Sequence, residues 1–394
     1  MEMMIDEVLK YIEEEDAKFI RLAFRDAYGV QKNISVMPGE VKKAFEDGAP
    51  INTRAIAGFR SCPYATLYLR PDPNTMSELP WRPDSGKVLR MFCDVYTPDG
   101  EVFESDTRAI LKKAVAAAEE AGIEFRFGSE TEFYLFNKDE NGNPTKTPYD
   151  HAGYMDIAPA DKCENVRREI ILTIERMGLI PERSHHERGP GQNEIDFHYG
   201  KPLKAADQLT TFKMVVHTIA DRYGLVADFS PRPLPDEAGN GYHINIYAVD
   251  KDGNDVVKYA AAGILEKIRD ITLFLNPTDA SYTRLGNNSA PDRVNWSKAG
   301  RSELMYIENY KGKTRAELRS PDATGNPYLV YSLLIYAGLE GIKKKLELPS
   351  EMDENGLFLP GSKNEASKLA GMSAFVKSVL PQALINEYTG TSEK

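Results

Sequence analysis

The sequence is poor in cysteine and in long apolar runs, and its acids outnumber its bases by 60 to 49; each feature removes a class of protein. Three cysteines in 394 residues (Cys62, Cys93, Cys163) are odd in number, scattered and without metal-ligand spacing. They argue against a disulfide framework and for reduced, structural thiols. A formal net charge of −11 attracts neither nucleic acid nor an anionic membrane surface, so neither is expected as a partner. An anionic small molecule stays open, because arginines or a metal ion can reverse the sign inside a cleft. No apolar run approaches bilayer length, and the start Met1-Glu2-Met3-Met4-Ile5-Asp6-Glu7 lacks the basic and apolar segments of a signal peptide. A cytoplasmic location is the expectation. There is no internal repeat, no Gly-rich Walker loop and no kinase signature.

What is present is ordinary for a soluble globular chain: 41% hydrophobic and 28% charged residues, with length for two domains. Residues 3–15 read as an acidic amphipathic helix. Strands are expected at Lys18–Arg25, Val30–Met37, Ala65–Arg70 and Val88–Tyr96, with a helix from Pro38 to about Glu46. A domain boundary is placed after Tyr96, giving units 1–96 and 97–394. The second opens with a strong helix, Thr107–Ala121, stopped by Gly122. Further helices are expected at Ala160–Met177, Lys204–Tyr223, Asp255–Leu275 and Pro327–Leu346, and strands at Asn193–Tyr199, Tyr242–Ala248, Leu304–Glu308 and Arg315–Arg319. The order is that of an α+β protein.

The chemistry concentrates on a strand expected over Gly128–Phe136, GSETEFYLF, where the period of two puts Glu130 and Glu132 on one face. Adjacent carboxylates repel unless a cation lies between them or one holds a proton; a solvent-facing edge with incidental acids is the plainer alternative. Three other segments have the same character. Ser184–Glu194 (SHHERGPGQNE) sets Glu187 and Glu194 on either side of a Gly-Pro-Gly turn. Gly239–His243 (GNGYH) feeds His243 onto a strand. Arg315–Asp322 (RAELRSPD) alternates Arg315, Glu317 and Arg319 on one face, either a surface ion-pair ladder or a carboxylate- and phosphate-gripping site beside a metal. Arg284 and Arg301 lie in Gly/Asn/Pro-rich loop sequence. Five glutamates and one histidine select a hard cation, Mg²⁺ or Mn²⁺, and metal with arginines is the equipment of phosphoryl transfer.

These motifs, in this order from about Lys18 to about Gly341, resemble the glutamine synthetases, type I-like. So do Val95–Gly100, Asn276-Pro277 and Tyr282–Leu285. The resemblance implies a small N-terminal β-grasp domain, a catalytic domain with an antiparallel sheet backed by helices, and a ring-shaped homo-oligomer with active sites between subunits. It implies two or more metal ions per site, one held by Glu132, Glu187 and Glu194 and one by Glu130, His243 and Glu317, with ATP as co-substrate. Arg284 and Arg319 would grip the amino acid, with Gly239 and Tyr154 lining its pocket. Arg301 and Arg315 would lie at the transferred phosphoryl group, and Tyr199 against adenine. The implied function is ATP-dependent ligation of a glutamate side-chain carboxylate to ammonia or a small primary amine.

The departures from the family pattern are concentrated. Asn52 stands where an ammonium-binding aspartate is expected, the acid expected shortly before Tyr68 is absent, and Ser289 is nearest to the flap glutamate. Ala238 replaces an asparagine, Tyr306 a phosphate-binding arginine, and the chain beyond Leu346 is shorter than usual. Loss of acids removes the well that attracts ammonium and the base that activates it. A changed amine is one consequence; a catalytically impaired homologue with a binding or regulatory role is the alternative. The intact ligand set favours an active ligase.

Overall fold

The computed structural model describes residues 3–82, 86–287, 290–353 and 356–391. After helix α1 (Ile5–Glu14), the N-terminal part contains strands β1 (Phe19–Arg25) and β2 (Gln31–Val36), helix α2 (Val41–Glu46), then β3 (Ala49–Asn52), β4 (Thr66–Pro71), β5 (Ser77–Glu78) and β6 (Val88–Tyr96). The sheet order is β2-β1-β6-β4-β3, with β1 and β6 parallel and β5 on the flank of β6.

Helix α3 (Thr107–Glu120) opens the second part. Asp106 caps it by accepting the amide of Arg108 at 3.0 Å, and Gly122 leaves it with φ +71°. There follow β7 (Ile123–Lys138), β8 (Pro144–Pro148), α4 (Glu164–Arg176), β9 (Pro181–His186), β10 (Gln192–Phe197), α5 (Pro202–Arg222), β11 (Leu225–Asp228) and β12 (Tyr242–Asp250). Then come α6 (Val257–Leu275), α7 (Asp279–Arg284), β13 (Trp296–Ser297), β14 (Met305–Tyr310), β15 (Lys313–Leu318), α8 (Pro327–Lys344), α9 (Lys363–Met372), α10 (Ala374–Val379) and α11 (Gln382–Thr389). The sheet order is β13-β14-β15-β12-β7-β10-β9, with β8 and β11 also on β7. Its pairings are antiparallel except for β13 with β14.

Strand β7 is the axis of this sheet and is longer than its sequence expectation. Ile123, Phe125 and Phe127 are buried in alternation with exposed Glu124 and Arg126, which carries the strand pattern back to the helix. The odd-numbered face packs on helices: the Phe127 ring stacks on Tyr331 of α8 at 4.4 Å. Helices α6 and α8 meet at Gly263 and Gly341, where an added Cβ would lie 2.2 Å from the Ala337 carbonyl oxygen and 2.1 Å from that of Tyr259, respectively. Only glycine permits that approach. The even-numbered face, with Glu130 and Glu132, is left for the site. Among the described residues, no helix is long and apolar enough to cross a membrane.

Strands β3, β5, β8, β9, β11 and β13, helix α7 and the three C-terminal helices were not part of the sequence expectation. Helix α11 closes onto the N-terminal part: Tyr388 donates to the Ala27 carbonyl at 3.0 Å, and Tyr28 donates to Glu387 at 3.0 Å.

A buried ion cluster ties the two sheets together. Arg108 of α3 reaches Asp72 and Asp94 of the N-terminal part at 2.8 Å each, and Asp207 of α5 at 3.0 Å. Removing a cation from a buried cluster leaves its carboxylates uncompensated. Arg108→Ala is therefore expected to cost about 3–5 kcal/mol, and Lys10→Ala, which loses an exposed i,i+4 pair with Glu14, less than about 0.5 kcal/mol. Denaturant unfolding of the two variants checks the contrast.

Candidate active site

The register of four strands builds the site. Across β12, β7, β10 and β9, His243 faces Glu130, Glu130 faces Asp196 and Asp196 faces Arg183. One step along β7, Glu132 faces Glu194, which faces His185. One step the other way, Gly128 faces Asn245, which faces Glu317 of β15. Directly opposed like charges destabilise a sheet. Here two such pairs, Glu130 with Asp196 and Glu132 with Glu194, occupy one buried face, none of the four residues more than 8% exposed.

Neighbouring side chains compensate this charge in part. Asn245 donates to Glu130 at 2.9 Å, Arg183 pairs with Asp196 and stands 3.6 Å from Glu130, and His243 Nδ1 lies 3.6 Å from Glu130 and 3.9 Å from Glu317. Burial opposes ionisation of Glu130, but His243 and Asn245 outweigh it and hold the carboxyl at about 2. Glu132 accepts the Gly241 amide at 2.8 Å and the Gln192 side chain at 3.0 Å. Elsewhere compensation fails. Burial, with the charge of Glu132, pushes the Glu187 carboxyl up to about 8, and burial with Asp196 and Glu132 raises Glu194 well above the usual range. The fully buried Glu317 pairs with Arg319 through one oxygen, and its Oε2 accepts no hydrogen bond.

Oxygen donors in excess of their cations, one of them orphaned, fit a hard divalent ion. Glu130, His243 and Glu317 present ligand atoms within 4.8 Å of one another, as do Glu132, Glu194 and His243, and His185, Glu187 and Glu194. The expected set Glu130–His243–Glu317 is thus brought together. The expected set Glu132–Glu187–Glu194 is spread over two overlapping groups, and His185 joins one of them. A different group, Asp150, Asp161, Cys163 and His186, is already saturated. Asp150 accepts from His186 Nε2, the Gly191 amide and Lys162 N at 2.9 Å and from Cys163 Sγ at 3.3 Å, while Arg167 pairs with Asp161. His186 turns Nδ1 to the Glu187 carbonyl at 2.7 Å, so both ring nitrogens face acceptors and the ring is held as the cation. This cluster braces the loop that carries Glu187.

Over the face opens a cavity of about 310 Å³, bordered by ten of the expected site residues: Glu130, Glu132, Glu187, Glu194, His243, Tyr154, Gly239, Arg284, Arg301 and Arg319. Arg284 is buried and donates to the Ser320 carbonyl at 2.8 Å. Gly239 and Gly241 are close-approach positions, where a Cβ would lie 2.5 Å from the Pro231 carbonyl oxygen and 2.6 Å from His243 Nε2. Tyr154 meets the His185 ring edge-on at 5.3 Å. Glu317, Arg315 and Tyr199 stand outside the cavity border: Arg315 pairs with Glu308 at 2.6 Å, and Tyr199 lies against Gly128 and Tyr247. Asn52 is exposed, caps the turn after β3 by accepting the Arg54 amide, and does not border the cavity of its own chain. Ser289 lies outside the described residues.

Several contributors escaped the sequence reading: His185, Asp196, Arg183, Gln192 and Asn245, with Arg188 also at the cavity. Asp196 had a signal, since Glu194 and Asp196 repeat the period-two acid pattern of β7.

Residues 104–392 match the family model for the catalytic domain of glutamine synthetase, and residues 16–98 that for its β-grasp domain. The chain belongs to the glutamine synthetase family. It is 42% identical to glutamine synthetase of Clostridium saccharobutylicum over 364 residues, 89% of this chain and 82% of the relative. It is 39% identical to that of Methanosarcina mazei over 416 positions, 98% of this chain and 93% of the relative. A solved structure of GmaS in complex with ADP shares the fold, with a TM-score of 0.88 at 24% identity over 97% of this chain and 94% of that one. The expected β-grasp and catalytic fold stands, and membership makes this a chain of a ligase family.

Two predictions follow from the geometry. Mg²⁺ or Mn²⁺ at a hundredfold excess over its Kd is expected to stabilise the protein by about 2.7 kcal/mol, with chelator reversing the effect and Glu132→Ala reducing it, as thermal melts check. Asp150→Ala leaves the cationic His186 without its carboxylate and is expected to cost about 3–5 kcal/mol in denaturant unfolding.

Proposed function

We propose that the protein is an ATP-dependent carboxylate–amine ligase that joins the side-chain carboxylate of glutamate to ammonia or a small primary amine. The observation that carries the reading is the juxtaposition of two opposed carboxylate rows with Arg284, Arg301 and Arg319 around one cavity. Such a site suits a reaction that brings anions together.

In this reading Glu132, Glu187 and Glu194 hold one divalent ion, and Glu130, His243 and Glu317 the other. When bound, the ions supply charge neutralisation for the phosphates. Arg284 and Arg319 bind the amino acid, whose main-chain groups pass Gly239 and Tyr154. Tyr199 supports the adenine. The glutamate side-chain oxygen attacks the γ-phosphorus, the bond to the ADP oxygen breaks, and Arg301 and Arg315 stabilise the charge in transfer. The amine nitrogen then attacks the acyl phosphate carbon, phosphate leaves with the C–O electron pair, and the nitrogen gives up a proton to form the amide. Because Asn52 neither titrates nor borders the cavity of its own chain, the amine pocket is read as completed by a neighbouring subunit of a ring-shaped homo-oligomer, with the unit 1–96 contributing across the interface. Asn52 carries no charge to attract ammonium, which supports a larger amine.

The test is phosphate release with Mg²⁺, ATP, glutamate and a panel of amines beside ammonia. Release above background is expected for at least one amine, falling about 100-fold or more in Glu132→Ala and Arg319→Ala. Asn52→Asp is expected to shift preference toward ammonia. Absence of release with every amine would overturn the reading, and tight nucleotide binding without turnover would put a regulatory binding protein in its place.

A further inference from the structure

The hairpin of β14 and β15 carries an acid that the reading above does not use. Glu308 faces Arg315 across the two strands, and Tyr306, two residues earlier, shares the face of Glu308. Glu308 Oε1 accepts from Arg315 Nη2 at 2.6 Å, and its Oε2 accepts from the Tyr306 hydroxyl at 3.1 Å. The guanidinium of Arg301 lies over the Tyr306 ring, 5.3 Å from its centre. One tyrosine–glutamate pair therefore touches both arginines assigned to the phosphoryl group. The ion pair is half-buried, with Arg315 22% and Glu308 34% exposed at the side chain, so either partner can be exchanged without unfolding the hairpin.

A guanidinium offers the same N–H fork to a carboxylate and to a phosphate. With Glu308 on Nη2 and Glu317 3.8 Å away, Arg315 is already neutralised before any nucleotide arrives. We propose that Glu308, oriented by Tyr306, is an internal competitor for the nucleotide phosphates: it holds Arg315 in the empty site and yields it on binding, which lowers nucleotide affinity and hastens product release. The inference rests on the assignment of Arg315 to phosphate contact. Removing the competitor's charge then tightens binding, whereas removing a nucleotide or metal ligand loosens it.

Calorimetric titration of Mg²⁺-ADP into the full chain separates the possibilities. Glu308→Gln, isosteric and uncharged, is expected to lower Kd by about 1.5-fold to fivefold, the range of a half-exposed ion pair. Tyr306→Phe, which frees Glu308 but keeps the ring under Arg301, should lower it less. Arg315→Ala should raise Kd, and Glu308→Gln should add nothing in that background, the mark of coupling through one partner. If Arg315→Ala leaves Kd unchanged, the phosphate assignment itself falls. If Arg315→Ala weakens binding but Glu308→Gln leaves it unchanged or weaker, or tightens it equally without Arg315, the competitor role alone is overturned.

Discussion

Like charges opposed on a buried sheet face are the constraint on which the rest of this structure depends. Glu130 against Asp196 and Glu132 against Glu194 would push β7 and β10 apart if both rows were ionised and bare. The fold answers with a graded supply of cations and donors. His243 and Asn245 serve Glu130, Arg183 serves Asp196, and Gln192 with the Gly241 amide serves Glu132. The supply runs out at Glu187, Glu194 and the orphaned oxygen of Glu317, where protonation is favoured or a lone pair is left over. A site so arranged has a defined deficit for ions to fill.

Such a face survives only if its strands cannot slip, because a one-residue shift would turn every acid onto the helix side. Three devices hold the register. The odd-numbered face of β7 is anchored by Phe127 stacked on Tyr331 and by helices α6 and α8 locked through Gly263 and Gly341. The loop bearing Glu187 is braced by the Asp150–His186 pair. Tyr134, on the even face, donates to the Ala238 carbonyl at 2.6 Å, and an added Cβ at Gly189 would lie 1.9 Å from its hydroxyl. Gly189 is thus the space that Tyr134 needs, and Tyr134 fixes the wall where Ala238 offers no polar side chain.

The sequence made the even face of β7 legible because period two is a local property: Glu130 and Glu132 had to share a side. The same rule united Arg315, Glu317 and Arg319. It could not reveal Asn245, whose partner Glu130 is 115 residues distant, nor that the β9–β10 hairpin bearing Arg183 and His185 lies against Glu130 and Glu132, more than 60 residues before their partners Asp196 and Glu194, because packing alone fixes those pairings. Short elements such as β3 and β11 gave too few residues for any pattern. Helix α9 is a different case, because Ser362 followed by Glu365 is a capping signal, and the Ser362 side chain does accept the Glu365 amide.

The departures from the family pattern spare the acid rows. The groups that would activate a carboxylate (the acid rows, His243, Arg284, Arg319) are assembled with their supporting contacts. The departures are Asn52 and Ser289 at the proposed amine end, Ala238 at the cavity and Tyr306 beside the proposed phosphoryl arginines. Random decay would strike buried ligands as readily as these positions, and it would leave orphaned partners behind. Instead Tyr306 has both a ring contact to Arg301 and an acceptor in Glu308. A replacement that keeps its own partners fits the proposed reading of a working site with an altered nucleophile, around acid rows that the sheet register does not allow to vary.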